Sequence, residues 1–166
     1  LVNGTDRTLY RFSVAAPAGT NGVSLYKFLF NIATTGIGND LTITSLKMYA
    51  YTSSGFSGGA YSADGQLNNG TTLFTAAGNK TFSYNRATTS DFGIYFNPAA
   101  PTSADPEAIH VPAGSTYYFE LKGTVAGANS TGDSATVQLM GDHSWVDINT
   151  TVPETTRDAG FLAGGD

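Results

Sequence analysis

The sequence predicts an all-β fold, and three observations support this prediction. Apolar and polar residues alternate with a period of two through most of the 166-residue chain. No window of about twelve residues offers an apolar stripe at helical spacing. Turn signals rich in glycine, asparagine and proline separate the alternating runs. We expect an antiparallel sandwich of two sheets, of jelly-roll or immunoglobulin-like type, with about eight to ten strands.

The first alternating run covers residues 7–15. Tyr10, Phe12 and Val14 share one face of this run, and Leu9 belongs to the opposite face. The pattern predicts a half-buried strand whose aromatic face points to the core.

The most apolar run covers residues 23–33. Four large side chains share its core-directed face: Tyr26, Phe28, Phe30 and Ile32. Leu29 makes the second face apolar as well, so both faces need cover and the strand belongs inside a sheet.

The next run, residues 41–51, changes phase near Thr44 and Ser45. A β-bulge explains such a change, because one extra residue moves every later side chain to the other face. Leu46 and Met48 then point inward. The stretch that follows, residues 52–70, is rich in serine and glycine and is predicted to be a long connection.

Short strands are expected at residues 72–76, 80–84 and 92–96, with a turn at Gly78 and Asn79. Residues 97–106 contain three of the six prolines and are expected to cross between sheets.

The clearest alternation follows Gly114. Phe119 and Leu121 are expected to face the core there, whereas Glu120 and Lys122 face water. Another strand is expected at residues 134–140, with Leu139 facing inward, after a hairpin loop at residues 126–132. We expect a β-sandwich domain over residues 1–149 and an irregular C-terminal segment, residues 150–166, that docks on a neighbouring molecule.

Composition limits the function. Charged residues make up 13 % of the chain, which is about half the usual share in soluble domains. The net charge of −5 and the scattered Lys and Arg residues argue against a nucleic-acid partner. No apolar run reaches the length of about 18 residues that a membrane span needs. The chain has no cysteine, which is compatible with export. The N-terminal residues show no positively charged segment followed by an apolar one, so we expect a mature or trimmed form of a secreted, extracellular protein of the cell surface.

No motif predicts catalysis. Asp142, His143 and Ser144 are the residue types of a hydrolase triad, but neighbours in an extended chain point to opposite faces. His110 is expected to be a solvated histidine at a strand end. The carboxylates that a glycosidase would need fall mostly in predicted turns: Asp91, Asp105, Glu107, Glu120, Asp133, Asp142 and Asp147. We therefore predict no enzyme and no catalytic residue.

No cofactor is predicted. Calcium is the one ion that the oxygen-rich loops suggest. The candidate positions are Asn39 with Asp40, Asp64 with Asn68 and Asn69, and Asp142 with Asp147. None of them has the spacing of a known calcium loop.

The sequence offers candidates for two kinds of covalent modification. Five positions fit the Asn-x-Ser/Thr acceptor pattern for glycosylation: Asn3, Asn69, Asn79, Asn129 and Asn149. Lys27 lies in the most apolar run, where a lysine can form an isopeptide bond assisted by an acid such as Glu120. We prefer a lysine whose charged end reaches solvent, because Glu120 is expected on the polar side of its strand.

Several segments together resemble exported β-sandwich domains of prokaryotic cell surfaces. They are Leu9-Tyr10-Arg11-Phe12, Ser45-Leu46-Lys47-Met48-Tyr49, Val111-Pro112-Ala113-Gly114-Ser115 leading into Tyr117-Tyr118-Phe119-Glu120-Leu121, and Leu139-Met140-Gly141-Asp142. Domains of this kind occur in surface layers, adhesins and extracellular filaments, and the resemblance covers residues 7–148.

The resemblance and the composition imply a structural subunit of an extracellular assembly, such as a surface layer or filament, whose partners are copies of itself. Association through sheet edges and terminal segments would involve Leu1, Val2, Phe161 and Leu162. The second hypothesis is an adhesive module that binds surface glycan, for which an exposed platform of aromatic rings would be evidence: Tyr51, Phe56, Tyr61 or Trp145. The third is an accessory domain of a secreted glycoside hydrolase.

Overall fold

In a computed structural model of the protein, the residues described are 1–35, 41–68, 73–75, 78–80, 90–96 and 107–140. Within them the backbone forms β-strands and no helix. The strands are β1 (Gly4–Ala15), β2 (Val23–Leu25), β3 (Lys27–Thr35), β4 (Thr42–Tyr51), β5 (Leu73–Thr75), β6 (Gly78–Lys80), β7 (Ser90–Tyr95), β8 (Ile109–Val111), β9 (Thr116–Ala126) and β10 (Ser134–Leu139). The prediction of an all-β chain is confirmed for these residues.

The strands form three antiparallel sheets. A three-stranded sheet has the order β1-β9-β4, a five-stranded sheet has the order β10-β3-β7-β5-β6, and β2 pairs with β8. Strand β3 is an interior strand, as its apolar pattern predicts, and Leu29 on its second face is 5 % exposed.

The predicted bulge in β4 is present. The register between β4 and β9 shifts between Thr44 and Lys47, and Ser45 has a φ of 51°. Leu46 and Met48 after the shift are fully buried. An extra residue in β4 therefore turns these two apolar side chains toward the core.

A second irregularity lies in β1 and was not predicted. The register between β1 and β9 shifts between Thr8 and Tyr10. Leu9 consequently packs against the core together with Tyr10, although simple alternation assigns the two residues to opposite faces.

Aromatic side chains fill the space between the three-stranded and five-stranded sheets. The Phe12 ring centre on β1 lies 4.8 Å from that of Phe28 on β3, and the Phe28 centre lies 5.0 Å from that of Phe119 on β9. Phe12 and Phe119 stack with a centre distance of 5.3 Å. Each buried aromatic or aliphatic side chain contributes about 1.5–3 kcal/mol relative to an exposed one.

Two side chains predicted for the core are exposed. Tyr26 is 45 % exposed, because it lies at the break between β2 and β3, where the period of two is interrupted. Leu139 is 37 % exposed at the end of the edge strand β10.

Two predicted turns are also corrected. Strands β9 and β10 belong to different sheets, so residues 126–132 connect sheets and do not close a hairpin. Gly78 and Asn79 lie in strand β6, which pairs with β5. Of the strand predicted at residues 80–84, the structure describes only Lys80. The crossover predicted at residues 97–106 and the C-terminal segment 150–166 lie outside the described residues.

Candidate functional site

Glu120 in β9 is buried, although the sequence predicts that it faces water: 2 % of its side chain is exposed. Its Oε1 accepts hydrogen bonds from Arg11 Nε at 2.9 Å, Arg11 Nη2 at 2.7 Å and Thr8 Oγ1 at 2.6 Å. Its Oε2 lies 3.2 Å from Lys122 Nζ and accepts a hydrogen bond from the Tyr51 hydroxyl at 3.4 Å. These five residues, called the ion cluster below, join all three strands of the sheet.

Aromatic rings cover the ion cluster on the outer face of the sheet. Arg11 Cζ lies 4.1 Å from the centre of the Phe56 ring, and Lys122 Nζ lies 4.7 Å from the centre of the Tyr49 ring. Phe56 also packs edge-on against Tyr51. The rings exclude water from the carboxylate and attract the two cations through their π-systems. This cover explains how an ionised group remains buried on the outer side of a sheet.

The ion cluster favours the charged forms of Glu120 and Lys122. Burial raises the pKa of Glu120, but the hydrogen bonds from Thr8, Arg11 and Lys122 outweigh burial, so the pKa lies below its ordinary value. Burial lowers the pKa of Lys122, and the hydrogen bond and charge of Glu120 outweigh burial and raise that pKa. A general acid or base needs a pKa near the working pH, so this pair suits a structural role.

The outer edge of β4 is closed by the connection that follows it. Leu67 N donates to Met48 O at 2.8 Å, and Ala50 N donates to Gly65 O at 2.8 Å. Gly65 has a φ of 82°, and a Cβ there would lie 2.6 Å from Ala50 O. A glycine is therefore needed for residues 58–68 to lie against this edge.

The side chain of Asn68 continues this closure. Its Oδ1 accepts a hydrogen bond from Met48 N at 2.6 Å, and its Nδ2 donates to Leu46 O at 3.2 Å. One amide thus imitates the donor and acceptor of a neighbouring strand, and Asn68 is only 4 % exposed. No further strand can pair with β4 at these positions without displacing Asn68.

The outer edge of β1 is open as far as the described residues show, because β1 pairs there only with β9. Ala16 N donates to Ser115 O at 2.9 Å, and Ala16 O accepts from Gly114 N at 2.9 Å. Ala16 therefore directs both backbone groups toward the chain that leads into β9. The register is unbroken from Tyr10 to Ala15, so backbone direction alternates residue by residue over this stretch.

It follows that the N–H and C=O groups of Arg11, Ser13 and Ala15 point away from β9. All three residues are exposed. We call this set of three residues the open edge: Arg11, Ser13 and Ala15. The register shift between Thr8 and Tyr10 limits the open edge on its N-terminal side.

The N-terminal residues are anchored by Asn3. Its Oδ1 accepts a hydrogen bond from Ala128 N at 2.8 Å, and its Nδ2 donates to Asn129 Oδ1 at 3.2 Å. Beyond this anchor, the residues predicted to make assembly contacts are exposed, Leu1 by 48 % and Val2 by 66 %. Their predicted counterparts Phe161 and Leu162 lie outside the described residues.

The five glycosylation candidates have different surroundings. Asn3 and Asn129 are exposed and lie side by side, joined by the amide contact described above. Asn79 lies in strand β6. Asn69 and Asn149 lie outside the described residues.

The catalytic candidates that the structure describes have separate surroundings. His110 is exposed in β8, and its Nδ1 lies 3.4 Å from Ser24 Oγ on the paired strand β2. Glu107 is exposed, and Asp133 accepts a hydrogen bond from Ser130 N at 2.7 Å in a turn. The side chain of Asp91 and the residues Asp105, Asp142, His143, Ser144 and Asp147 lie outside the described part of the chain.

The calcium candidates at Asp64 and Asn68 do not form a site together. Asp64 Oδ1 accepts hydrogen bonds from Gln66 N and Ser62 Oγ, and the Asn68 amide is bound to β4. In the described part of the chain, no three His, Cys, Asp or Glu side chains are placed to hold a metal ion. Asn39, Asp40, Asn69 and the pair Asp142 and Asp147 fall outside it.

Lys27 and Glu120 lie in different sheets, on β3 and β9. The contacts of Glu120 go to the other members of the ion cluster. This geometry gives no support to an isopeptide bond at Lys27 assisted by Glu120.

In the described part of the chain, the aromatic candidates for glycan binding do not form an exposed platform. Tyr51 is 7 % exposed, and Arg11 lies on the face of Phe56. Tyr61 packs against Tyr117 and donates its hydroxyl to His110 O at 2.7 Å. Trp145 lies outside the described residues.

Sequence reasoning did not identify the partners of Glu120 or the open edge. Arg11 and Glu120 are distant in the chain, and only the register of β1 against β9 places them opposite each other. An arginine in the β1 run and a single acid in the β9 run were the one available signal.

The chain matches no known family, no curated protein and no solved structure. The described residues include no helix that is long and apolar enough to cross a membrane.

Proposed function

We propose that this chain is a structural domain of an extracellular surface assembly, such as a surface layer or filament. Copies associate through a sheet edge and through terminal segments. The observation that carries the proposal is the contrast between two edges of one sheet. Residues 58–68 and Asn68 close the β4 edge, whereas the β1 edge is open in the described chain. Unpaired N–H and C=O groups on an edge favour addition of another strand.

The proposed architecture is a two-sheet sandwich of jelly-roll or immunoglobulin-like type. The ring contacts of Phe12 and Phe119 with Phe28 support it, because they join the inner faces of the two larger sheets. The proposed location is outside the cell. A low charge content of 13 %, the absence of cysteine and the resemblance to exported surface domains support this location.

The terminal segments supply the second proposed contact. Leu1 and Val2 are exposed apolar side chains held beyond the Asn3 anchor, and burial of such groups against another molecule is favourable. Phe161 and Leu162 are the proposed counterparts near the C-terminus. We propose no catalytic residue: Glu120, the most buried acid among the described residues, is held ionised by two cations.

Particle size tests this function. Light scattering of the full chain from about 1 µM to 1 mM should show mass that grows with concentration. A variant lacking residues 155–166 should stay folded by circular dichroism and form particles no larger than dimers. A variant with Leu1→Ser and Val2→Ser should also assemble less. A full chain that remains monomeric over this range would contradict an assembly function.

A further inference from the structure

We infer that the open edge of β1 pairs with the same edge of a second copy of this chain, antiparallel and related by a two-fold axis at Ser13. This inference rests on the proposed function and specifies one of its contacts. It places Ser13 opposite the Ser13 of the second copy, and Arg11 opposite Ala15. The two three-stranded sheets then form one continuous sheet.

The choice of partner follows from what each edge of the three-stranded sheet offers. The β4 edge is occupied at Leu46, Met48 and Ala50 by the chain's own backbone and by Asn68. Pairing of β1 with β4 of another copy would have to displace these hydrogen bonds. Pairing of β1 with β1 displaces no hydrogen bond of the described residues, and it satisfies the same groups on both copies.

The register follows from the direction of the backbone groups. A two-fold axis at Ser13 pairs every N–H and C=O group of Arg11, Ser13 and Ala15 with a group of the other copy. An axis at Val14 would place Arg11 opposite Pro17, which has no N–H to donate. An axis at Phe12 would bring Ala15 opposite Leu9, where the register shift lies.

The charges are compatible with this register. Arginine on an edge strand ordinarily discourages pairing, because its charge must stay solvated. Here both hydrogen-bonding contacts of the Arg11 guanidinium go to Glu120, and its face lies on Phe56. In the proposed register the two Arg11 residues are separated by about 13 Å along the strands. The residues at the centre, Ser13 and Ala15, are small and add no charge.

Cysteine cross-linking tests the register directly, since the natural chain has no cysteine. In Ser13→Cys, the two Cα atoms would be separated by about 5.5 Å, within the range that a disulfide spans. We expect mild oxidation to give a disulfide-linked dimer. The matched control is Thr136→Cys, an exposed position in the middle of β10, which is an edge strand of the five-stranded sheet. Equal cross-linking of both variants would overturn the inference.

Repulsion at the two-fold axis provides the second test. Ser13→Lys places two ammonium groups opposite each other on the outer face and leaves the hydrogen bonds to β9 intact. We expect the dimer dissociation constant to rise about tenfold or more, with unchanged circular dichroism. Thr136→Lys should leave the dissociation constant unchanged. Assembly that persists at wild-type strength in Ser13→Lys would overturn the proposed edge, whereas loss of assembly in every form, wild type included, would overturn the proposed function.

The chain's own C-terminal residues are the competing occupant. If they cover the open edge, Ser13→Cys will cross-link only after residues 155–166 are deleted, and the inference is then wrong. Cross-linking of the full chain at the same rate as the truncated chain supports a second copy as the occupant.

Discussion

Arg11 and Glu120 are opposite residues in the register of β1 against β9, and their side chains are joined as well. Both Nε and Nη2 of Arg11 donate to the same carboxylate oxygen, at 2.9 and 2.7 Å. The Arg11 side chain is about half exposed, at 49 %, whereas the Glu120 side chain is 2 % exposed. The interaction therefore ties an edge strand to the buried charge of the central strand.

Arg11→Ala should destabilise the fold by about 1–3 kcal/mol, less than the loss of a fully buried partner, because Arg11 is partly solvated. The free energy of unfolding in urea measures the effect. Arg7→Ala is the matched control on the same strand, since the Arg7 guanidinium donates to the backbone oxygen of Asn3. A loss in Arg11→Ala no larger than in Arg7→Ala would show that the ion cluster contributes little.

Stability should fall as the solution becomes acidic. The pKa of Glu120 is lower in the folded chain than its ordinary value of 4.5, so the unfolded chain takes up this proton first as the pH falls. The stabilisation is complete above pH 4.5 and is lost as the pH falls through the folded pKa. Glu120→Gln should be less stable at pH 7 and lose less of its remaining stability on acidification.

Thr8→Val refines this pH test. It removes one hydrogen bond to the ionised carboxylate and leaves Arg11 and Lys122 in place. Thermal unfolding at a series of pH values should show that Thr8→Val changes the acid dependence of stability less than Glu120→Gln does. Thr5→Val, at an exposed position of the same strand, is the control. Identical pH profiles for wild type and Glu120→Gln would exclude Glu120 as a source of acid sensitivity.

Asn68→Ala should cost about 2–3 kcal/mol, because it leaves Met48 N and Leu46 O without the Asn68 amide in a buried position. Urea unfolding measures this loss. Asn21→Ala, at an exposed asparagine, should change stability by less than about 0.5 kcal/mol. Hydrogen exchange at the Met48 amide should also accelerate in Asn68→Ala, and an unchanged exchange rate would contradict the role given to Asn68.

Ser45→Gly should leave the chain as stable as the wild type or raise its stability by up to about 1 kcal/mol, since Ser45 has a positive φ that glycine adopts without strain. Thr42→Gly in a regular part of β4 should have the opposite sign and cost about 0.5–1 kcal/mol. Thermal unfolding compares the two. A Ser45→Gly variant as destabilised as Thr42→Gly would show that the bulge carries no backbone strain.

Phe119→Ala should cost about 3–5 kcal/mol, because the ring is fully buried between Phe12 and Phe28. Tyr26→Ala should cost clearly less, since the Tyr26 side chain is 45 % exposed. The alternating pattern alone assigns both residues to the core and so predicts similar losses of stability. Urea unfolding of the two variants tests whether the losses differ, as the structure predicts.

Local patterns predicted much of the fold. The bulge near Ser45 and the burial of Phe28, Phe30, Phe119 and Leu121 follow from side-chain alternation, which is a property of neighbouring residues. The prediction that Tyr26 lies in the core is wrong because the period of two is interrupted between β2 and β3. The sequence pattern does not indicate that interruption. Leu9 was wrongly placed for a similar reason, since the irregularity in β1 is defined only against β9.

The site was less predictable than the fold because it depends on pairing between distant segments. Glu120 has the alternation of a solvated residue, and only Arg11 and the cover of Phe56 make it a buried one. The open edge could not be predicted from the sequence of β1, because that sequence does not show which strands pair with β1. It also does not show that residues 58–68 cover the edge of β4. Leu1 and Val2 are exposed, and their part in assembly contacts stays a prediction.

Asn68 has a consequence for how many neighbours one molecule can accept. While its amide and residues 58–68 lie against β4, the described part of the three-stranded sheet offers one edge, and a module with one self-complementary edge stops growing when that edge finds its mate. Only a change that displaces both the Asn68 amide and residues 58–68 would give the sheet two dissimilar ends, and dissimilar ends can be joined without limit. The closure of β4 thus sets the valency of the sheet and separates a closed pair from an open-ended ladder.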